Sequence, residues 1–317
     1  MDDLIKDEAE TSPPSSIIKF DAAGFPWWFV MIILIIGYMG YLVVVNEDYR
    51  EAFDNVLPWP LIEEVEVPPL EGQTTPPIDL ATGEPQTERQ LVLFRGIGLT
   101  LIITAGAFVA SLALGLLLGL GRISGRVPGR NLFVRFIQGA ARNLSTLYIE
   151  LVRGIPMIVF IFAVALVLAP DFANLLQLEQ RAISNAWRGA AALSLFYAAF
   201  IAEVFRAGIQ SVHTGQVEAG RAVGLREGQI MRSIVLPQAV RNMLPALGND
   251  LISLMKDTSL ISVLAVREVT QMARLYTGSS FRFREGFFVL VVLYVTLTLI
   301  LSLILRWYER RIAIPDR

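Results

Sequence analysis

The 317-residue chain has no cysteine and one histidine, His213. Without thiols, neither a disulfide framework nor a thiolate metal site can form. A single histidine excludes a His-Glu-x-x-His metal motif and leaves no serine–histidine pair for nucleophilic catalysis, so neither a catalytic residue nor a metal ligand is expected. His213 precedes a polar segment, where it suits helix capping or solvation. The chain also lacks a Gly-x-x-x-x-Gly-Lys-Ser/Thr phosphate loop, so it should bind no ATP and carry no cofactor of its own. Charge is scarce: 18% of residues are charged and the net charge is −2, which gives no basis for nucleic-acid binding. Apolar residues fill the space, at 54% of the chain with a mean hydropathy of +0.55, values that belong to membrane proteins.

Residues 1–24 are acidic, carry Pro13-Pro14-Ser15-Ser16, and have neither a basic n-region nor a small-residue cleavage site, so they read as a disordered, solvated tail. The run Phe25–Val45 is long enough for one span. Residues 46–90 hold eleven acids against Arg50 and Arg89, and their prolines argue against long helices, so a water-exposed extracytoplasmic loop is expected. Further apolar segments run roughly over 91–120, 148–168, 189–208, 243–264 and 287–305. In the first of these, Gly115-x-x-x-Gly119 would let another helix approach closely. Residues 122–142 carry five arginines and no acid, which the positive-inside rule places in the cytoplasm, with anionic lipid contact as a further role. Counting from there predicts an all-α membrane protein with six spans and both termini cytoplasmic, the final tail being 311–317.

The most specific stretch is Glu218-Ala219-Gly220, then Gly224, then Ile234-Val235-Leu236-Pro237. Glu218, Ala219, Ala222 and Val223 offer a short helix with a small-residue face that can enter a groove on another protein. Arg221 and Arg226 flank it for ion pairing, and Gly224 ends it. This pattern resembles the docking loop of the permease subunits of ATP-binding cassette importers. The resemblance covers roughly residues 91–310, with the loop at 212–240, and narrows to polar amino acid permeases of the histidine, glutamine, arginine and glutamate type. It is carried by Tyr148-Ile149-Glu150-Leu151-Val152-Arg153-Gly154-Ile155-Pro156, Ala202-Glu203-Val204-Phe205-Arg206-Ala207-Gly208-Ile209, Gly215-Gln216-Val217-Glu218-Ala219, Leu236-Pro237-Gln238-Ala239 and Lys256-Asp257-Thr258-Ser259-Leu260. It implies a five-helix core to which this chain adds a first helix, a second permease beside it, a cytoplasmic ATPase dimer that binds ATP and Mg, and an extracytoplasmic amino acid binding protein. It also implies that Gln216, Glu218, Ala219, Gly220, Arg221, Ala222, Gly224, Leu236 and Pro237 meet the ATPase.

Two further groups stand out on physical grounds. Glu203 and Arg206, one helical turn apart, can neutralise one another as a structural or coupling pair. Asn249, Asp250, Ser253, Lys256 and Asp257 project into a sector of roughly 120° at about 100° per residue. A polar stripe in an apolar span faces a cavity or a partner, and two acids against one lysine favour a polar or basic amino acid on the substrate pathway. A dimer-interface role for the stripe stays open. So do a proton-coupled secondary carrier and a membrane scaffold or sensor.

Overall fold

A computed structural model of the chain describes residues 27–56, 62–66, 87–91, 96–123, 131–178 and 183–312. The two tails, most of the acidic segment and residues 124–130 lie outside them. The helices are α1 (Trp27–Val45), α2 (Glu47–Val56), α3 (Gly96–Ile123), α4 (Leu132–Gly154), α5 (Met157–Phe162), α6 (Ala169–Leu175), α7 (Asn185–Gln210), α8 (Thr214–Ala222), α9 (Glu227–Ile230), α10 (Leu236–Asp257), α11 (Val269–Ser280) and α12 (Phe283–Ile312). Among the described residues, four helical stretches are long and apolar enough to cross a membrane: Gly96–Ile123, Met157–Leu175, Asn185–Gln210 and Phe283–Arg311.

The segment expected as a loop is partly ordered. Strands β1 (Ile62–Glu66) and β2 (Thr87–Leu91) pair antiparallel, with Ile62 opposite Leu91 and Glu66 opposite Thr87. Ahead of them, the proline-free residues 47–56 form α2. Its Tyr49, Ala52 and Val56, spaced along one face, are buried against α11 and α12. Arg282, in the α11–α12 bend, pairs with Asp48 at 3.0 Å and with Glu51. Arg50 caps the end of α1 by donating to the carbonyls of Val43 and Val44. Acids counted as a solvated surface thus hold α2 onto the fold.

The third span is also displaced from the expected 148–168. Helix α4 starts at Leu132, inside the arginine-rich segment expected as a loop, and breaks at Ile155 and Pro156. Pro156 has no N–H and forces Ile155 into an extended conformation (φ −103°, ψ 135°). The chain restarts as α5, passes through a π-helical turn at Ala163–Leu168 and continues into α6. Within that turn the Ala165 carbonyl accepts from Arg188 at 3.4 Å, so a side chain compensates the irregular backbone.

The most extensive helix packing among the described residues is between α3 and α7. A Cβ on Gly115 would lie 2.7 Å from Ile201 Cγ2, and one on Gly119 would lie 3.1 Å from the Ala202 carbonyl oxygen. Ser111 crosses the seam, donating to Ala107 O (2.7 Å) or Ser194 O (3.0 Å). Gly115 and Gly119 therefore serve the close approach their spacing suggested.

Glu268 joins three elements at the other end of α3. It is fully buried, caps α11 by accepting from the Thr270 and Gln271 backbone N–H groups at 2.9 and 2.8 Å, and accepts from the Tyr294 hydroxyl at 3.3 Å. Burial outweighs those donors and pushes its carboxyl up to about 7.

Two predictions follow from this packing. Gly115→Val should overpack the seam by about 1–3 kcal/mol and lower the unfolding temperature in detergent, whereas Gly106→Val, with open space around it, should leave the temperature near that of the parent. The second concerns pH. The folded protein keeps the Glu268 proton up to about pH 7, while an ordinary glutamate loses it near 4.5, so stability falls as pH rises through that window. Glu268→Gln should flatten that slope in a pH series of thermal melts.

Candidate docking module and intramembrane cavity

The segment between α7 and α10 folds as a small module. His213 caps α8, its Nδ1 accepting from Gly215 N at 3.1 Å. The helix ends where Gly224 takes φ +81°, with Gly224 N–H donating to Arg221 O and Leu225 N–H to Gly220 O. Those two bonds form the glycine-terminated turn that the sequence suggested, a conformation that a Cβ disfavours. Gly220 is buried because Ile230 and Ile234 press on it; a Cβ there would lie 2.9 Å from Ile234 Cδ1.

Glu218, Ala219, Arg221 and Ala222 are exposed along α8, as is Gln216, and Val223 is 76% exposed beside them. A groove lined by Gln216, Ala219, Gly220, Val223 and Ile234 runs along this surface. One expectation changes: Arg221 pairs with Glu227 of its own module, at 2.7 and 3.3 Å, instead of standing free for a partner. That contact holds Glu227 below the usual carboxylate range. Arg226 caps α9, with Gln229 accepting from its backbone N–H.

The module is fixed to the spans. Val212, Ile230, Val235, Ala239 and Met243 form one buried cluster that continues into α10. Gln238 donates to Gln216 at 3.1 Å, and Asn242 donates to Ser211 at 2.8 Å. Leu236 and Pro237 begin α10, which runs on without a break from a π-helical turn at Met231–Val235.

Above the module, a cavity of about 380 Å³ lies between α7 and α10, walled by Arg153, Phe200, Glu203, Asn242, Met243 and Asp250 among others. Asp250 Oδ2 is buried without a hydrogen-bond partner. The Arg153 guanidinium stacks over the Phe200 ring, 5.6 Å from its centre. Asp257, two turns along α10 from Asp250, accepts from the Tyr197 hydroxyl at 2.6 Å. The polar stripe therefore has two edges: Asp250 and Asp257 turn toward α7, whereas Asn249 and Lys256 are exposed and Ser253 lies half-buried between them.

Glu203 and Arg206 pair as expected, but the network is larger. Arg122, in the last turn of α3, donates to Glu203 at 2.9 Å and to Glu150 of α4 at 3.0 Å. In the sequence Arg122 is one orientation charge among five, and Tyr197 is one aromatic residue in an apolar span. Linear spacing offers no sign of either, because their partners lie 81 and 60 residues away.

The profile of the family described as the inner membrane component of binding-protein-dependent transport systems matches residues 118–314. The chain belongs to that family. It is the permease subunit of an ATP-driven importer, a multi-pass inner membrane protein whose ATP is hydrolysed by a separate subunit. Among curated relatives, the probable amino-acid permease protein YxeN of Bacillus subtilis is 33% identical over 225 residues, 71% of this chain and 93% of YxeN. The glutamine transport system permease protein GlnP of Escherichia coli is 33% identical over 223 residues, 70% of this chain and 94% of GlnP. A solved amino acid ABC transporter crystallised with histidines matches with a TM-score of 0.58 and 29% identity, covering 68% of this permease and 92% of that chain. A bacterial alginate transporter matches over 90% of this permease at a TM-score of 0.50 and 13% identity, a likeness of fold alone. Nothing in these matches favours a proton-coupled carrier or a scaffold.

In this permease, Gly224→Val should cost about 1–2 kcal/mol through the left-handed conformation it must adopt. Limited proteolysis should then cut within residues 214–230 faster than in the parent while the spans stay resistant.

Proposed function

We propose that this permease carries a polar amino acid, with a preference for basic ones, through a cavity between α7 and α10 that is opened and closed from α8. The observation that carries the reading is the unpartnered Asp250 carboxylate in a cavity that also holds Arg153. A buried unpaired carboxylate is costly, and an α-ammonium or cationic side chain would relieve the cost, with Arg153 on the same wall available to a carboxylate. Asn249, Ser253, Lys256 and Asp257 extend the path along α10. The relatives named for glutamine and amino acid transport, and the transporter solved with histidines, support the substrate class.

In this reading, the core helices and α1 make six spans with both termini in the cytoplasm. A second permease, identical or paralogous, completes the pathway, and an extracytoplasmic binding protein delivers the amino acid. Two ATPase subunits binding ATP and Mg seat on Gln216, Glu218, Ala219, Gly220, Ala222 and the start of α10 at Leu236 and Pro237. Gln238 of α10 is bonded to Gln216 of the module, and Asn242 of α10 to Ser211 at the end of α7, so movement of the module acts on the junction of those two helices and changes the gap between them. Arg221 supports the module from within through Glu227.

The test uses the permease reconstituted with its ATPase and binding protein. Glu218→Ala should lower substrate-stimulated ATP hydrolysis by about tenfold or more, equivalent to about 1.4 kcal/mol of lost coupling. Asp250→Asn should keep ATPase attachment and lose uptake to a similar extent. Parent-like hydrolysis in the first variant would remove α8 from the ATPase contact. Unchanged uptake of arginine, glutamine, histidine and glutamate in the second would remove the cavity from the pathway.

A further inference from the structure

The lower half of α4 has no role in the scheme above. From Leu132 to Leu144 no residue of α4 is buried, and the packed face begins only at Ser145, followed by Ile149 and Val152. The exposed side chains are large and apolar: Leu132 is 84%, Phe133 72%, Phe136 74% and Leu144 66% exposed. At about 100° per residue, Leu132, Phe133, Phe136, Ile137 and Leu144 share one sector of roughly 140°. Arg135 and Arg142, seven residues apart, flank that sector on one side; both are exposed, and neither has an ion-pair partner among the described residues.

The position of this half-helix is also defined. Ser145 Oγ and the Ala141 carbonyl crowd Gly121, so α4 meets α3 at its last turns, next to Arg122, and the turns of α4 before Ala141 lie beyond that contact. The first acid on α4 is Glu150, and Arg122 already holds it. A helix with one apolar face, arginines at its flank and no acid of its own is built for the boundary between acyl chains and negative headgroups, where arginine stems lie in the apolar layer and the guanidinium reaches phosphate.

We propose that Leu132–Leu144 lies along the cytoplasmic leaflet and binds anionic phospholipid, with Arg135 and Arg142 on headgroup phosphates and the Phe133–Phe136 face among the acyl chains. The side of the membrane rests on the orientation proposed above; the lipid contact does not depend on transport. Each arginine near such a surface favours anionic over neutral lipid by about fivefold.

The absence of native cysteine makes the test direct. Phe136→Cys and Leu144→Cys, both at exposed sites, are labelled with a fluorophore and the permease is placed in vesicles containing brominated phosphatidylglycerol or brominated phosphatidylcholine. Labels at Leu101→Cys on α3 and at Val223→Cys on the docking module serve as the acyl-chain and water references. Quenching is read on the permease alone, which leaves residue 223 in water, and uptake by the unlabelled permease with its ATPase and binding protein in the same lipids separates failure of this proposal from failure of the transport reading. The expected result is bromine quenching at 136 and 144 well above that at 223, at least about threefold stronger with phosphatidylglycerol. Adding Arg135→Gln and Arg142→Gln should bring the two lipids to equality. Quenching no greater than at 223 would place the half-helix in water. Protection from both bromine and a water-soluble quencher would show that protein covers it. Equal quenching by the two lipids in the parent would remove the headgroup contact. Any of these three results overturns the proposal.

Discussion

The seam between α3 and α7 is the contact on which the rest of the permease depends. Within a membrane, apolar surface gains little by leaving lipid for protein, so helices hold together through close backbone approach and a few hydrogen bonds. Gly115 and Gly119 remove the Cβ atoms that would keep α3 away from Ile201 and Ala202, and Ser111 bridges the two backbones. With α7 fixed in this way, its other faces can hold Tyr148 of α4 through the Leu195 carbonyl, Ala165 through Arg188, and Asp257 of α10 through Tyr197. Arg122 closes the end of the seam by joining α3, α4 and α7 through two carboxylates, beside the point where α7 gives way to the docking module.

Most polar side chains that enter this helical body follow one rule. Thr100, Thr104, Ser111 and Ser194 return their hydroxyls to a carbonyl one turn back, and Asn185 satisfies the Leu264 carbonyl where the backbone leaves regular helix. Such pairing removes the cost of burying a donor. On the cavity wall, Asp250 Oδ2 has no such partner among the described residues, and an uncompensated carboxylate there is costly.

The helical module between α7 and α10 was legible in the sequence because its physics is local. A helix capped at His213 and ended by Gly224 needs only neighbours within a few residues, and the Glu203–Arg206 pair likewise depends on a spacing of one turn. Features that depend on distant partners were not legible. Helix α2 looked like part of an acidic loop because its short apolar face has meaning only against α11 and α12. Strands β1 and β2 pair across a long proline-bearing interval, which conceals any hairpin signal. The third span was misplaced because hydropathy averages over the break at Pro156, and the amphipathic start of α4 fell below the apolarity that a window detects. The polar stripe on α10 reads as one unit in the sequence, but only the fold separates Asp250 and Asp257, which turn toward α7, from the exposed Asn249 and Lys256.

The measurement that tests the central claim most directly is ATP-dependent uptake into sealed vesicles containing this permease, the ATPase that co-purifies with it in mild detergent, and labelled arginine, glutamine, histidine or glutamate. The account predicts accumulation of at least one of these against its gradient, abolished when ATP is replaced by a non-hydrolysable analogue. Recovery of an active ATPase complex that accumulates none of them under either condition would contradict the amino acid assignment. Accumulation that persists without ATP hydrolysis would contradict the coupling of the cavity to the docking module.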